Sequence, residues 1–436
     1  MAKAKSKKIT LEEALVPVEE QPYEVPENWC WTYLLNGFAE CKDGNRKPIN
    51  ASERAEREGD IPYYGATGQA GWIDDYLTDE QLVLLGEDGA PFLELLKDKA
   101  YLIEGKAWVN NHAHIIKSHY GEVGNKYILH YLNVFNFHGY VNGTTRLKLT
   151  QASMRTIVVP LPPLAEQKRI VEQIESLFAK LDEAKEKALS VVESFELREK
   201  AIYKKAFEGD LTNSWRAENG INISEWEEIS FEKLGKLERG RSKHRPRNDK
   251  RLFGGKYPFI QTGDVAGAGM YVTSHKQTLS EFGFEQSRMF PKGTLCITIA
   301  ANIGDAAILS YDCCFPDSVV GFTPGEKCLN KYMYFYLQEI KAELEYIAPA
   351  TAQKNLNLKL LGKVEIKVPS LKEQEKIVEI LEKQINDQEN IVEKAENVIE
   401  TIDVMKKSIL AKAFRGELGT NIETEESAIE LLKSIF

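Results

Sequence analysis

Residues 164–209 read LAEQKRIVEQIESLFAKLDEAKEKALSVVESFELREKAIYKKAFEG, and residues 371–416 read LKEQEKIVEILEKQINDQENIVEKAENVIETIDVMKKSILAKAFRG. The two stretches lie 207 residues apart, and their ungapped pairing gives 18 identities in 46 positions. The identities run from a Glu-Gln pair near the start to an Ala-Phe-x-Gly end. A repeat of this kind sets the architecture around it. The sequence therefore predicts two long helices that alternate with two globular segments.

The helical prediction rests on the spacing of apolar residues in both copies. Apolar side chains recur at alternating steps of four and three, which is typical of a coiled-coil seam. Arg198 interrupts the first seam, and Gln384 and Gln388 interrupt the second. Prolines stand just before each copy and a glycine closes each, as expected at the two ends of a helix. About 44 helical residues at roughly 1.5 Å each give rods of about 65 Å, in segments 161–212 and 369–418.

Length and composition indicate a multidomain globular chain. With 436 residues, of which 43% are hydrophobic, we expect two to four domains. No apolar run approaches a membrane span, and the basic start lacks the apolar stretch of a secretory signal. Six cysteines without a CxxC pair indicate reduced thiols, a cytoplasmic location and no structural metal. We expect residues 1–28 to form a mobile N-terminal arm and 419–436 an acidic tail.

The two globular segments, 29–160 and 213–368, resemble each other loosely. Each opens at a tryptophan and continues into a basic loop that contains glycine. An aromatic strand running into a Gly-rich turn follows, then alternating β-branched residues, a short helix and a closing turn (143–149 and 350–358). The predicted fold class is therefore α+β, with two mixed α/β domains joined by the two long helices.

Charge is distributed unevenly along the chain. The net charge is −10, yet residues 236–256 hold nine basic and two acidic side chains, with proline and glycine among them. The pattern indicates a basic loop on an acidic body, which is compatible with local phosphate binding. A solvated loop without a ligand is the alternative that the charge pattern alone leaves open.

These features together resemble the specificity subunits of type I restriction-modification systems. The most specific are YYGATG (63–68), PLPPLAEQKRIV (160–171), GRSKHRPRND (240–249) and the two Ala-Phe-x-Gly ends, and the resemblance covers residues 29 to about 418. It implies that each globular segment is a target-recognition domain for one half of a split, asymmetric DNA site. It also implies that the helices pair antiparallel, in a pseudo-twofold arrangement.

The resemblance further implies partners and cofactors. Double-stranded DNA would bind the domains, two modification (methyltransferase) subunits would dock on the helices, and restriction subunits would join through the complex. S-adenosylmethionine, ATP and magnesium would then lie on the partner subunits, with no cofactor on this chain. No membrane partner is expected.

Residue types indicate which side chains contact DNA. Arginine and lysine suit phosphate clamps or guanine contacts, and polar side chains in Gly-flanked turns can approach a groove. A tyrosine on a strand is more commonly part of a core. The candidate DNA-binding residues are Asn45, Arg46, Lys47, Tyr63, Tyr64, Thr67, Gln69, Arg239, Arg241, Lys243, Arg245, Arg247, Lys250, Arg251, Gln261, Thr262 and Asp264.

Catalytic motifs are missing from the sequence. There is no Walker-type GxxxxGK[ST] and no N/D-P-P-Y/F tetrapeptide of the kind a modification subunit would carry. Pro316-Asp317 with Glu365-Ile366-Lys367 only coincidentally resembles a nuclease cluster. His112, His114 and His119 have no counterpart in the second domain, so we expect local hydrogen bonding there. A DNA-recognition subunit is the leading hypothesis, ahead of an enzyme acting on DNA by itself and of a coiled-coil protein-interaction scaffold.

Overall fold

The computed structural model describes residues 9–94, 97–347 and 356–436. The closing turn predicted at 350–358 lies mostly outside these residues. The chain divides into two compact units: unit 1 is Met1–Leu189 with Glu396–Phe436, and unit 2 is Ser190–Ala395. Both boundaries fall inside the long helices, so each unit contains one globular segment and parts of both helices.

Unit 1 contains twelve strands among its described residues, and its helices flank them. The strands are β1 (Cys30–Tyr33), β2 (Ala39–Cys41), β3 (Ile61–Gly65), β4 (Gly68–Ile73), β5 (Thr78–Asp79), β6 (Leu82–Gly86), β7 (Ala100–Ile103), β8 (Lys106–Val109), β9 (Ala113–Ser118), β10 (Val141–Asn142), β11 (Lys148–Leu149) and β12 (Val158–Leu161). The helices are α1 (Leu11–Ala14), α2 (Ala51–Ala55), α3 (Gly121–Val134), α4 (Gln151–Arg155) and α5 (Leu164–Glu193), the last of which ends in unit 2.

Unit 2 begins within the repeated helix and returns to its second copy. Its helices are α6 (Phe195–Phe207), α7 (Asn213–Asn219), α8 (Phe231–Leu234), α9 (Thr262–Ala266), α10 (Glu281–Glu285), α11 (Asn330–Ile347), α12 (Leu358–Gly362) and α13 (Leu371–Ala413), which ends in unit 1 before α14 (Ala428–Lys433). Its strands are β13 (Glu227–Ser230), β14 (Gly235–Arg239), β15 (Phe253–Phe259), β16 (Tyr271–Val272), β17 (Gln277–Leu279), β18 (Met289–Phe290), β19 (Leu295–Thr298), β20 (Ala306–Leu309), β21 (Cys313–Cys314), β22 (Val319–Pro324) and β23 (Glu365–Val368).

The two units share one strand order. Unit 1 has sheets β2-β9-β6-β7 and β4-β3-β8-β5, and unit 2 has β14-β22-β19-β20-β16 and β17-β15-β21-β18. In each, the first strand after the opening tryptophan pairs antiparallel with the last strand before the long helix, as β1 with β12 and β13 with β23. Strand β16 is an addition of unit 2. The predicted duplication of a mixed α/β domain is therefore confirmed by topology.

The repeated Glu-Gln pair fixes the start of each long helix to its own unit. In unit 1 the Trp29 indole Nε1 donates to Glu166 Oε2 at 2.7 Å. In unit 2 Trp226 Nε1 donates to Glu373 Oε2 at 3.0 Å. Both glutamates are fully buried. A buried carboxylate persists only with partners of this kind, and the helix N-terminus also favours its negative charge.

The repeated phenylalanine fixes the other end of each helix. Phe414 packs edge-on against Tyr127 and Tyr131 of α3, with ring centroids 5.1 Å apart in both pairs. In unit 2, Phe207 packs in the same way on two tyrosines of α11, at 5.4 and 5.0 Å. The first copy of the repeat therefore starts in unit 1 and ends in unit 2, and the second copy does the reverse. The identities at both ends are explained by these contacts.

The first copy is not one continuous helix, contrary to the sequence prediction. It breaks at Ser194, whose hydroxyl donates to the carbonyl oxygen of Ser190 at 2.6 Å. Arg198 donates to the Ser194 hydroxyl and to Val191 O. Serine side chains that bond back to the preceding turn compete with the backbone ladder and bend helices. The second copy, α13, runs unbroken over 43 residues.

Residues 9–28 are packed on unit 1, which corrects the expectation of a mobile arm for this range. Ala14 and Val16 are buried, and Leu15 bridges Thr32 to extend the β1–β12 pair. The covered face carries Trp31, 1% exposed. The corresponding residue of unit 2 is Glu228, which is exposed. The arm therefore covers apolar surface that unit 2 replaces with charge.

The acidic tail is likewise part of unit 1. Glu425 accepts two hydrogen bonds of 2.8 Å from the Arg169 guanidinium, and Leu432 of α14 is fully buried. Asn421 Nδ2 donates to Glu166 at 2.8 Å. Among the described residues, no helix is long and apolar enough to cross a membrane.

Candidate nucleic-acid interface

The basic loop of unit 1 is largely held by the protein itself. Arg46 donates to Glu87 and to the carbonyl oxygen of Ala113 at 3.0 Å, and it pairs with Asp43 at 3.0 Å. Its side chain is only 15% exposed. A guanidinium committed to two carboxylates is poorly placed to bind phosphate. The sequence prediction grouped Arg46 with DNA contacts, whereas the structure places it in an internal ion-pair network.

Histidine 114 lies at the centre of that network. Its Nδ1 lies 2.7 Å from Asp43 Oδ2 and its Nε2 lies 2.9 Å from Leu149 O. Burial raises the pKa of Asp43, but the hydrogen bond and charge of His114, the Ile115 backbone N–H and the charge of Arg46 together lower it overall. Cys41, Asp43 and His114 lie close enough to hold a metal. Both ring nitrogens have hydrogen-bond partners, which is the local hydrogen bonding that the sequence predicted for this histidine.

The other two residues of this loop remain accessible. Asn45 and Lys47 are exposed. The Lys47 ammonium lies 5.6 Å from the ring centroid of Trp108, and the backbone carbonyl oxygen of Lys47 accepts a hydrogen bond from the Trp108 indole N–H at 2.9 Å. The loop is therefore anchored through its backbone while its two outer side chains face solvent.

The residues of unit 1 predicted to contact DNA around β3 fall into two groups, those that face the core and those that face solvent. Tyr63 is 2% exposed and belongs to the core, so its proposed DNA contact is corrected. Tyr64 is half-buried, with its ring centroid 5.8 Å from that of Tyr101. Thr67 and Gln69 lie exposed at the turn between β3 and β4. Alternation along the strand places only the turn residues on the surface.

Sequence reasoning missed an aromatic residue on the same hairpin. Trp72 on β4 is 57% exposed and stands opposite Pro62. A large apolar side chain exposed beside polar turn residues is a signal that burial reveals and the sequence alone does not. The large or polar side chains exposed on the hairpin are therefore Thr67, Gln69 and Trp72, beside the small Ala70.

In unit 2, several arginines of the basic loop are tied to neighbouring groups. Arg239 donates to Asp317 O, and Arg247 donates to both Asp317 carboxylate oxygens at 2.8 and 2.9 Å. Arg245 donates to the carbonyl oxygens of Ser242 and His244 at 2.7 and 2.8 Å. Their exposed faces can still meet phosphate, but their orientation is set by the protein.

The end of this loop forms a second charged cluster. Arg251 binds both carboxylate oxygens of Asp249, and His244 Nε2 lies 2.8 Å from Asp249 Oδ2. The Arg251 hydrogen bond, helped by that of His244, holds the pKa of Asp249 well below its usual range. Lys243 and Lys250 are exposed, and the described residues offer neither ammonium a partner. These two lysines are the least constrained cations of the loop.

The stretch after the aromatic strand of unit 2 is a short helix and not the turn predicted from the sequence. Gln261 caps α9, and Asp264 Oδ2 accepts its backbone N–H at 2.9 Å. The Gln261 side chain is exposed and donates to Gln277 at 2.7 Å. The Asp264 side chain takes part in the capping of α9 and is only 14% exposed. The prediction that Asp264 contacts DNA is therefore corrected. Thr262 is half-buried at the first turn.

The nuclease-like residues have structural roles. Asp317 is the partner of Arg247, and Glu365 lies on β23, which pairs with β13. The expectation that this resemblance is coincidental is consistent with both positions.

Known proteins match this architecture. A family model described as the type I restriction modification DNA specificity domain matches residues 26–194 and 223–401. A putative type I restriction enzyme specificity subunit from Haemophilus influenzae is 30% identical over 360 residues, which cover 80% of this chain and 86% of that protein. The EcoBI specificity subunit from Escherichia coli is 25% identical over 343 residues, 70% of this chain and 69% of its own.

A solved structure has the same fold. The HsdS subunit from Thermoanaerobacter tengcongensis aligns with a TM-score of 0.63 at 18% identity, covering 92% of this chain and all of that one. The chain belongs to the type I restriction-modification DNA specificity family. It is accordingly a DNA-sequence-recognition subunit, and the catalytic steps of such a system belong to other subunits.

Proposed function

We propose that each unit reads one half of a bipartite, asymmetric DNA site. The observation that carries this proposal is one strand order used twice with different surface loops. Unit 1 exposes a hairpin with Thr67, Gln69 and Trp72, whereas unit 2 exposes a loop rich in arginine and lysine. Different side chains on one scaffold recognise different bases, so the two half-sites differ in sequence.

The long helices set the distance between the half-sites in this proposal. Ion pairs support their antiparallel pairing as a coiled coil: within unit 1, Lys185 pairs with Asp403 at 3.1 Å and Asp182 pairs with Lys406. Moving forward along one helix thus moves backward along the other. Half-sites that are read from one face of the duplex lie about 34–36 Å apart.

Two modification subunits dock on the helices, and restriction subunits join through the complex. Apolar side chains exposed on the helices support this docking, since such patches mark interaction sites. In unit 1, Val404 is 58% and Met405 46% exposed, and in unit 2, Leu197 is 72% exposed. S-adenosylmethionine, ATP and magnesium bind those partners and not this chain, and the complex works in the cytoplasm.

The test is the salt dependence of DNA binding by the complex of this chain with its modification subunits. Binding to a duplex carrying the target should exceed binding to a scrambled duplex by at least about a thousandfold and should fall steeply as salt rises. Equal, salt-independent affinity for both duplexes would overturn the proposal and favour a protein-interaction scaffold.

A further inference from the structure

One arginine of the unit 2 loop differs from its neighbours. Arg241 is half-buried, yet the described residues give its guanidinium no hydrogen bond and no ion pair, and its Nε is fully enclosed. Arg239, Arg245, Arg247 and Arg251 all bind carbonyl or carboxylate oxygens. An enclosed donor without an acceptor costs about 1–3 kcal/mol. The two terminal amino groups of the same guanidinium have no partners among the described residues and are the groups that a ligand can reach.

Arg241 lines a cavity that also contains a buried serine. The cavity measures about 120 Å³, and Ser287 forms part of its wall. Ser287 is 8% exposed, and its hydroxyl makes no hydrogen bond to nitrogen or oxygen among the described residues. The thiol of Cys314 lies beside it, a weak hydrogen-bonding group. The Arg241 guanidinium, which has no partner among the described residues, therefore lines the same small space as the enclosed Ser287 side chain.

The remaining walls are partly apolar and partly polar. Leu252, Phe253, Phe259 and Leu279 line one part of the cavity, and the polar side chains of Ser242, Arg247, Gln261, Gln286 and Ser318 line the rest. Apolar walls suit the flat, weakly polar body of a nucleobase, whereas a phosphate would lose its hydration against them. Arginine has donors only, and the major-groove edge of guanine presents two acceptors, O6 and N7.

We propose that this cavity receives the edge of one guanine in the half-site read by unit 2, with Arg241 donating to its acceptors and Ser287 completing the contact. This assignment rests on the proposed function and deepens it, because it names the residue that selects a base. The neighbouring arginines and lysines then position the phosphate backbone.

In unit 1, the guanidinium of the loop residue Arg46 already has hydrogen-bond and ion-pair partners. Arg46 is saturated by Glu87, Asp43 and the Ala113 carbonyl oxygen. The two units therefore differ in chemistry at the corresponding loop.

The experiment compares Arg241→Lys, Arg241→Ala and Ser287→Ala with Lys250→Ala, each in the complex with modification subunits. Binding is measured against a pool of duplexes in which every target position is varied, at several salt concentrations. The Arg241 variants should lose preference for guanine at one position of one half-site by about tenfold or more, with the salt slope unchanged. Ser287→Ala should relax the same position. Lys250→Ala should instead weaken all sequences equally and lower the salt slope by about 1.

Arg241→Lys keeps the charge and the aliphatic stem, so it tests recognition without leaving an empty, uncharged cavity. Uniform weakening with a reduced salt slope in the Arg241 variants would identify a phosphate contact and overturn the proposal, as would an unchanged base preference. A wild-type complex without any sequence preference would instead overturn the proposed function itself.

Discussion

Substitution of the buried Glu373 tests directly whether the repeated glutamates hold the starts of the two long helices in place. The Glu373 carboxylate accepts hydrogen bonds from Trp226, Thr212 and Arg216, the last two at 2.7 Å. Arg216 is 5% exposed, and Glu373 is the only carboxylate paired with it among the described residues. Replacing Glu373 by glutamine keeps the shape but leaves a buried cation without its counter-charge. Breaking such a pair costs about 3–5 kcal/mol.

Glu166 is the matched control, since it occupies the same place in unit 1 with neutral partners. Trp29, Thr420 and Asn421 donate to it. Glu166→Gln retains an accepting oxygen, and the nearby Arg169 keeps both of its hydrogen bonds to Glu425, so we expect a cost of about 1 kcal/mol. The difference between the two substitutions, about 2–4 kcal/mol, is the part that comes from charge.

Hydrogen exchange measured by mass spectrometry reports these costs locally, because opening of one segment is read in its own peptides. A loss of about 3 kcal/mol accelerates exchange roughly a hundredfold in peptides covering residues 210–226. Adding Arg216→Met to Glu373→Gln should recover at least about 2 kcal/mol, since the unpaired charge is gone. If Arg216→Met added further destabilisation to Glu373→Gln, or if both glutamates cost the same, the reasoning would be refuted.

Three further predictions follow from single residues. Burial, reinforced by the charge of Lys407, lowers the pKa of Lys99 to about 8. The unfolded lysine, near 10.4, binds more protons between these values, so the contribution of Lys99 to the stability of unit 1 rises from pH 8 to 10. In urea titrations, the free energy of unfolding of the wild type relative to that of Lys99→Met should therefore increase over this range, and a constant difference would contradict the assignment. Gly209 has φ 86°, and an added Cβ would lie 2.5 Å from the mobile end of Ile223 and 3.1 Å from the guanidinium of Arg216, which Glu373 holds in place. Gly209→Ala should therefore cost more than the about 1 kcal/mol expected of Gly220→Ala, where φ is also positive but space is open. Trp72→Ala should change unfolding free energy by no more than about 0.5 kcal/mol yet weaken DNA binding, and equal loss of both stability and binding would contradict its surface role.

The repeat allowed the architecture to be predicted from the sequence, and the structure shows which contacts explain the repeated residues. Apolar spacing, proline before and glycine after predicted both helices. The identities between the copies mark the glutamate that binds tryptophan and the phenylalanine that packs on two tyrosines. Such contacts recur because the ends of the long helices pack in the same way in both units.

The sequence predictions failed at residues whose position and burial depend on tertiary contacts. Residue type could not show that Tyr63 faces the core or that Asp264 caps a helix. Composition suggested a mobile arm, but the apolar face at Trp31 recruits residues 9–28 to cover it. Likewise, a run of arginines looks uniform in the sequence, and only their hydrogen bonds separate Arg241 from the rest.

Methylome sequencing tests the central claim, that each unit reads one half of a split site, most directly. Cells carrying the complete system are compared with cells lacking this gene and with cells whose chain carries Thr67→Ala, Gln69→Ala and Trp72→Ala in unit 1. We predict one bipartite methylated motif that disappears without the gene and is relaxed in a single half by the unit 1 substitutions. Persistence of the motif without the gene, or relaxation of both halves by the unit 1 substitutions, would contradict the account.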